Sequence, residues 1–295
     1  MKAETLIKRE ARRAVPRGQR IKRNAVQALI YVLCILMAVL CLLPLWLLFI
    51  DATRSTTQIN QGMSLLPSKY FFINFGTLLE KDFPVLRAFF NSVLISFSST
   101  ALCLYFSALS AYSFVAYRYK GQKAVYSFIL MLMMIPGQLS MIGFYKLVVD
   151  MNIYDTYVPL IIPAIAAPGG VFFFKQYFDA NFSKEMVEAA RIDGASEFRT
   201  FNLVVLPTLI PALATNAIFG IVSSWNNYMG PLMLLSTTEK FTFPMIVQLL
   251  KTDRYNTDLG AMSLAVFITI VPLLVIYAAF SKFIIQGVAI GGGKE

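Results

Sequence analysis

Apolar residues in this chain do not recur singly at helical spacing; they come in long uncharged runs divided by short charged stretches. Six windows, 25–50, 88–116, 124–145, 156–174, 206–225 and 259–281, contain no Asp, Glu, Lys or Arg. Each approaches or exceeds the ~20 apolar residues that cross a ~30 Å hydrocarbon layer as a helix. The pattern therefore predicts an all-α membrane protein with six transmembrane helices. The fourth window is the least regular, and Pro159, Pro163, Pro168, Gly169 and Gly170 predict a kinked or unwound helix there. Such a break is tolerated only where protein or water covers the freed backbone groups.

Charge orients these windows. Nine of the first 23 residues are Lys or Arg, and basic residues flanking a span stay on the cytoplasmic side. The apolar run that follows is 26 residues long, too long for a signal-peptide core, so it reads as an uncleaved first span. Six spans from a cytoplasmic start place both termini and the loops near 118–123 and 175–205 inside, with 18 of the 26 Lys and Arg on that side. Overall, 57% of residues are hydrophobic, only 14% are charged and the net charge is +10. The basic excess sits beside the membrane, which favours anionic lipid over nucleic acid as its partner. Cys34, Cys41 and Cys103 all fall inside windows, where they read as small packing residues.

Several chemistries are excluded. The chain has no histidine, which removes Ser-His-Asp triads, Cys-His dyads and imidazole metal sites. No G-x-x-x-x-G-K-[ST] loop occurs, so ATP is not hydrolysed here by that route. The spans carry no carboxylate, which weighs against the alternative of an ion-coupled carrier working without an ATPase, although uncharged ion sites keep that reading open. A non-transporting scaffold or lipid-modifying enzyme is the other reading, and no interfacial catalytic cluster supports the enzyme. Energy for transport would arrive from another polypeptide.

The most informative stretch is EAARIDGASEFRTFNLVVLP, residues 188–207. It lies in a cytoplasmic loop of about 30 residues, too long for a simple helix hairpin. Ser183 can cap a helix whose first turn holds Glu185, and Gly194 can end it. Met186, Ala189 and Ala190 share one face by helical spacing, with Glu185 and Glu188 beside it. Small residues ringed by acids predict a docking element for a partner groove; the alternative is an interfacial amphipathic helix lying on lipid, although such helices prefer Lys and Arg with large apolar anchors. A second short helix is predicted from Ser196, turning Phe198 and Phe201 toward the membrane domain.

Glu188-Ala189-Ala190, three residues, Gly194, nine residues, Val204, one residue and Leu206-Pro207 resembles the signature of inner-membrane permease subunits of ATP-binding-cassette importers. Asn91-Ser92, Ala111-Tyr112 followed by Arg118 and Gly121, Ile192-Asp193-Gly194-Ala195, Trp225-Asn226 and the tail GVAIGGGKE are similar to its carbohydrate branch, and within it to the maltose-type subunit with a glycine-rich tail. The final GGGKE departs from that tail.

The resemblance implies a type I importer permease fold in a bacterial-type plasma membrane. It also implies a sister permease, two cytoplasmic ATPases that hold ATP and magnesium, and an extracytoplasmic sugar-binding protein. No cofactor is expected on this chain. Glu188 would make the polar ATPase contact and Ala189 and Ala190 the close packing. Gly194 would form the turn, and Leu206 with Pro207 the joint into the fifth span. Asp193 would either touch the ATPase or cap the next helix.

The organisation expected is a basic segment 1–24, a permease domain 25–286 with a coupling loop 180–207, and a glycine-rich tail 287–295. The outer loops near 51–87 and 226–258 are long enough to receive a binding protein, and Pro67 with Tyr70-Phe71-Phe72 suggests a hairpin or short helix there. Candidates for the sugar pathway, chosen as amides and aromatic rings in or beside spans, are Asn91, Tyr105, Asn216, Trp225, Asn226 and Asn227.

Overall fold

A computed structural model describes the backbone of residues 17–80, 84–252 and 258–291; side chains 17–23, 252 and 282–291 are outside the description. The described residues are helical with no strand. The basic segment before residue 17 and the last four residues of the tail lie outside the described residues, while the backbone of 287–291 continues the final helix.

In chain order the helices are α1 (Arg17–Ala52), α2 (Thr56–Asn60), α3 (Phe71–Glu80), α4 (Val85–Ala116), α5 (Gln122–Leu132), α6 (Gly137–Asp150), α7 (Val158–Ile161) and α8 (Pro168–Asn181). After them come α9 (Lys184–Ile192), α10 (Glu197–Thr200), α11 (Leu206–Thr208), α12 (Ile210–Trp225), α13 (Met229–Leu234), α14 (Phe243–Thr252) and α15 (Leu259–Gly291). The suggestion of a short helix near Tyr70 corresponds to α3.

Among the described residues, four stretches are long and apolar enough to cross a membrane: Asn24–Ala52, Val85–Ala116, Val158–Asn181 and Leu259–Ser281. Two bent pairs, α5 with α6 at 94° and α10–α11 with α12 at 80°, bring the number to six when each pair is one span. The fourth window does loosen, into a 3-10 turn at Ile162–Ile165. The sharper bends lie in the third and fifth windows, so the fourth is not the least regular. In the third, Pro136 disfavours helical geometry at Ile135 and becomes the N-cap of α6. In the fifth, a π-turn at Phe201–Val205 and two prolines, Pro207 and Pro211, interrupt the hydrogen-bond ladder.

Helix α4 is the hub, packing against α8, α12, α14 and the 3-10 turn. Close approach is built from small residues, the usual device between membrane helices. A Cβ on Gly170 would stand 2.3 Å from Ser107 Oγ, and one on Gly220 2.8 Å from Thr100 Cγ2. Toward the α9 end, Ala108, Ala111 and Tyr112 of α4 join Val171, Phe174 and Phe178 of α8, Val187 of α9, and Phe201, Val205, Leu209 and Ala212 in one buried cluster. Toward the opposite end, Leu78, Val85 and Ala88 close on Phe243, Ile246, Leu250 and Ala265. Helix α1 packs along α15 and leaves most of its apolar surface uncovered, as a lipid-facing helix does.

Candidate functional site

Helix α9 is short, so its ends determine whether it persists. At its start Ser183 Oγ accepts from Met186 N at 3.4 Å and donates to Glu185 Oε2 at 2.7 Å. That second bond is the main reason the Glu185 carboxyl titrates below its ordinary range. At its end Gly194 takes φ +79°, Gly194 N donates to Arg191 O at 3.0 Å and Ala195 N to Ala190 O at 3.0 Å. This is a Schellman closure, which satisfies two orphan carbonyls and requires a left-handed residue. A Cβ on Gly194 meets nothing within 4 Å. The glycine is therefore required by backbone angle and not by space inside this chain.

Val187 and Ala190 are the buried side of α9, at 2% and 8% exposure. This corrects the face read from the sequence: Ala190, assigned to the partner with Ala189, turns inward onto the membrane body. The reason is that Val187, three residues earlier, anchors that stripe in the α4–α8 cluster. Glu185, Glu188, Ala189, Ile192 and Asp193 face outward. Ile192 is 86% exposed, an outward apolar side chain that the predicted face leaves out; its signal in the sequence is a bulky aliphatic beside Asp-Gly at a helix end. Phe201 is fully buried as expected, but Phe198 is 67% exposed, because α10 is a single turn and shows its first face to solvent. Asp193 is the C-cap residue, and its side chain makes no hydrogen bond to a described residue. Ser196, not Asp193, precedes α10. Leu206 and Pro207 stand at the 80° bend into α12.

The six pathway candidates separate. Asn91 is 8% exposed and donates both amide hydrogens, to Glu239 O and Phe241 O, each at 2.9 Å. Trp225 is 1% exposed, its Nε1 donates to Thr269 O at 3.1 Å and its ring lies against Phe89. Tyr105 donates to Asn202 Oδ1 at 3.2 Å and meets the Phe201 ring edge-on. Asn216 Nδ2 is buried without a partner among the described residues. Asn226 ends α12 through its backbone. Four of these five are packed, one ends a helix, and none of them lines the cleft between α6 and α13.

Asn227 does line a space. A cleft of about 530 Å3 lies between α6, the start of α7 and α13, walled by Gln138, Phe144, Tyr145, Pro159, Asn227 and Met233 among others. Asn227 Oδ1 accepts from Gly230 N at 3.1 Å, while its Nδ2 has no partner among the described residues.

One end of this cleft is fixed by Asp155. Asp155 Oδ1 accepts from Ser236 N at 2.9 Å and Thr237 N at 3.1 Å, and Oδ2 from Lys240 Nζ at 2.9 Å and Thr237 Oγ1. Asp155 N donates to Leu234 O at 2.9 Å. Partial burial pushes the Asp155 pKa up, but the Thr237 hydroxyl, the two backbone N–H groups and Lys240 outweigh it and hold the carboxyl well below the usual carboxylate range. Among the described residues no group of His, Cys, Asp and Glu is placed to hold a metal.

Comparison with known proteins places this geometry. Residues 104–289 match the family described as "Binding-protein-dependent transport system inner membrane component". The arabinooligosaccharides transport system permease protein of Halalkalibacterium halodurans is 33% identical, over 87% of this chain and 92% of that protein. The lactose transport system permease protein of Rhizobium radiobacter is 28% identical, over 90% of this chain and 96% of that protein. A bacterial ABC transporter involved in import of the acidic polysaccharide alginate has the same fold, with TM-score 0.78 and 23% identity over 92% of this chain and 99% of that one. The match spans well over half of the sequence, and the chain belongs to the family of inner-membrane components of binding-protein-dependent transport systems.

Proposed function

We propose that this chain is one of two membrane halves of an ATP-driven carbohydrate importer and that α9 is the helix through which a cytoplasmic ATPase moves it. The observation that carries the reading is the orientation of α9: Val187 and Ala190 seat it on the body while Glu188, Ala189 and Ile192 project away with no partner among the described residues. Exposed acids beside an exposed aliphatic suit a groove with an apolar floor and Arg or Lys at its rim. Gly194, Leu206 and Pro207 set the two bends that join this handle to the fifth span.

The partners are a sister permease, two ATPases holding ATP and magnesium, and an extracytoplasmic sugar-binding protein. α9 and both chain termini lie on the cytoplasmic side, as the basic residues near the amino terminus favour. Relatives named for arabinooligosaccharides and for lactose support a carbohydrate cargo. The cleft beside Asn227 has volume, ring faces and an amide Nδ2 without a partner among the described residues, features suited to a sugar, and lies within the ~300–1,000 Å3 range of small-molecule sites.

The test is co-purification in mild detergent after co-expression with the sister permease and the ATPase. The native chain should retain the ATPase, and a Glu188→Ala/Ile192→Ala chain should lose it while keeping the sister permease. Equal retention by both would refute the docking role of α9.

A further inference from the structure

By chain connectivity, α9 can pull only on α8 before it and on α10 to α12 after it. The structure adds a third tie. Arg191, in the last turn of α9, donates from Nε to Glu197 Oε1 at 2.7 Å and from Nη2 to Glu197 Oε2 at 3.2 Å. Glu197 opens α10, so this fork bridges the Gly194 turn. Tyr117 Oη donates to the same carboxylate, and the Arg191 guanidinium lies 5.4 Å from the Tyr117 ring centroid. Tyr117 is the residue that ends α4, 80 positions from Glu197.

From Tyr117 the connection runs inward through rings. Tyr117 meets Tyr112 edge-on at 6.0 Å, and Tyr112 stands 5.4 Å from Phe201 while also touching Phe178 and Phe182. Val187 and Phe201 also pack near Ala111 and Tyr112. Apolar packing alone is non-directional and lets surfaces slide, whereas a two-bond guanidinium–carboxylate fork stacked on a ring fixes register and angle.

We infer that Arg191 is a positioning residue which, with Glu197 and Tyr117, makes the coupling helix, α10 and the end of α4 move as one body. Displacement of α9 then reaches the hub helix of the fold directly, and not only through the spans it is threaded to. This rests on the docking reading above.

The experiment uses the assembled transporter with Cys34, Cys41 and Cys103 replaced by serine and spin labels at Lys120→Cys and Arg199→Cys, both exposed in this chain. The label-to-label distance distribution is recorded without nucleotide and after trapping with ATP and vanadate, with ATPase retention scored on the same preparation. The native clamp should give the same distribution in both states. Arg191→Ala, with the ATPase still bound, should give a distribution that shifts on trapping, Tyr117→Phe a smaller shift, and Arg191→Glu/Glu197→Arg the native result. A native distribution that shifts on trapping, or a swap that does not restore it, overturns the inference. So does an Arg191→Ala or, if that chain does not accumulate, a Tyr117→Phe distribution as invariant as the native one. Failure of the native chain to hold the ATPase is a different result: it removes the docking reading, and this inference with it.

Discussion

The end holding α13 and α14 and the outward face of α9 treat polar groups in opposite ways. At the end holding α13 and α14, Asp155 receives four hydrogen bonds, Asn91 spends both amide hydrogens on backbone carbonyls, and Asn74 Nδ2 donates to Ala52 O and Arg54 O at 2.8 and 2.9 Å. Arg54, 8% exposed, is held by Asp51 and by two carbonyls. At the α9 end, Glu188 and Asp193 bond to no described residue, and Ile192 is almost wholly exposed. Saturated polar groups make a frame, since an unpaired buried group is costly. On the docking reading proposed above, the exposed groups of α9 act between chains.

Substitutions can break that contrast. Trp225→Ala should have the largest effect on stability, about 3–5 kcal/mol by analogy with other buried rings, read as a lower Tm in detergent. Asp155→Ala should cost about 1.5–3 kcal/mol, the range for hydrogen bonds to a charged group, and should loosen α13 at the cleft.

The Asp155 pKa is lower folded than unfolded, so its contribution is fully present above the ordinary value near pH 4 and is lost as pH falls through the folded value. Denaturation midpoints of native and Asp155→Asn chains should therefore differ at neutral pH and converge only in strong acid. A gap that closes between pH 7 and 5 would contradict this lock.

The α9 end should behave in the reverse manner. Gly194→Ala forces a Cβ into φ +79°, a strain of about 1–2 kcal/mol. Asn at 194 tolerates that angle, so the Gly194→Asn chain should fold; any loss of ATPase retention it shows reports crowding by the partner, because the space within this chain is open. Smallest of all for stability are Glu188→Gln and Ile192→Ala, within about 0.5 kcal/mol of native by thermal shift. Their ATPase retention should nonetheless fall below that of the Asp155→Ala chain. An Ile192→Ala chain that unfolds early would make α9 part of the frame.

Legibility from sequence follows the range of the interaction. Six uncharged windows announce the helical membrane class because lipid imposes length and composition locally. The Ser183 cap and Gly194 stop are equally local and were readable. Which face of α9 turns outward was not, since it depends on Val187 meeting α4 and α8. Asn91, Trp225 and Asn227 look alike as polar or aromatic residues near span ends. Only the turn after residue 225 separates a ring buried against Phe89 from an amide on a cleft. The Arg191–Glu197–Tyr117 and Asp155–Lys240 ties join residues up to 80 and 85 positions apart, beyond any periodic signal.

The central claim is that the outward face of α9, and only that face, meets an ATPase. A photoactivatable phenylalanine analogue placed singly at positions 187–192 in the assembled transporter tests it directly. Adducts with the ATPase from positions 188, 189 and 192, and none from the buried 187 and 190, are the predicted result. A complex that retains the ATPase yet gives no adduct from 188, 189 or 192 would contradict it.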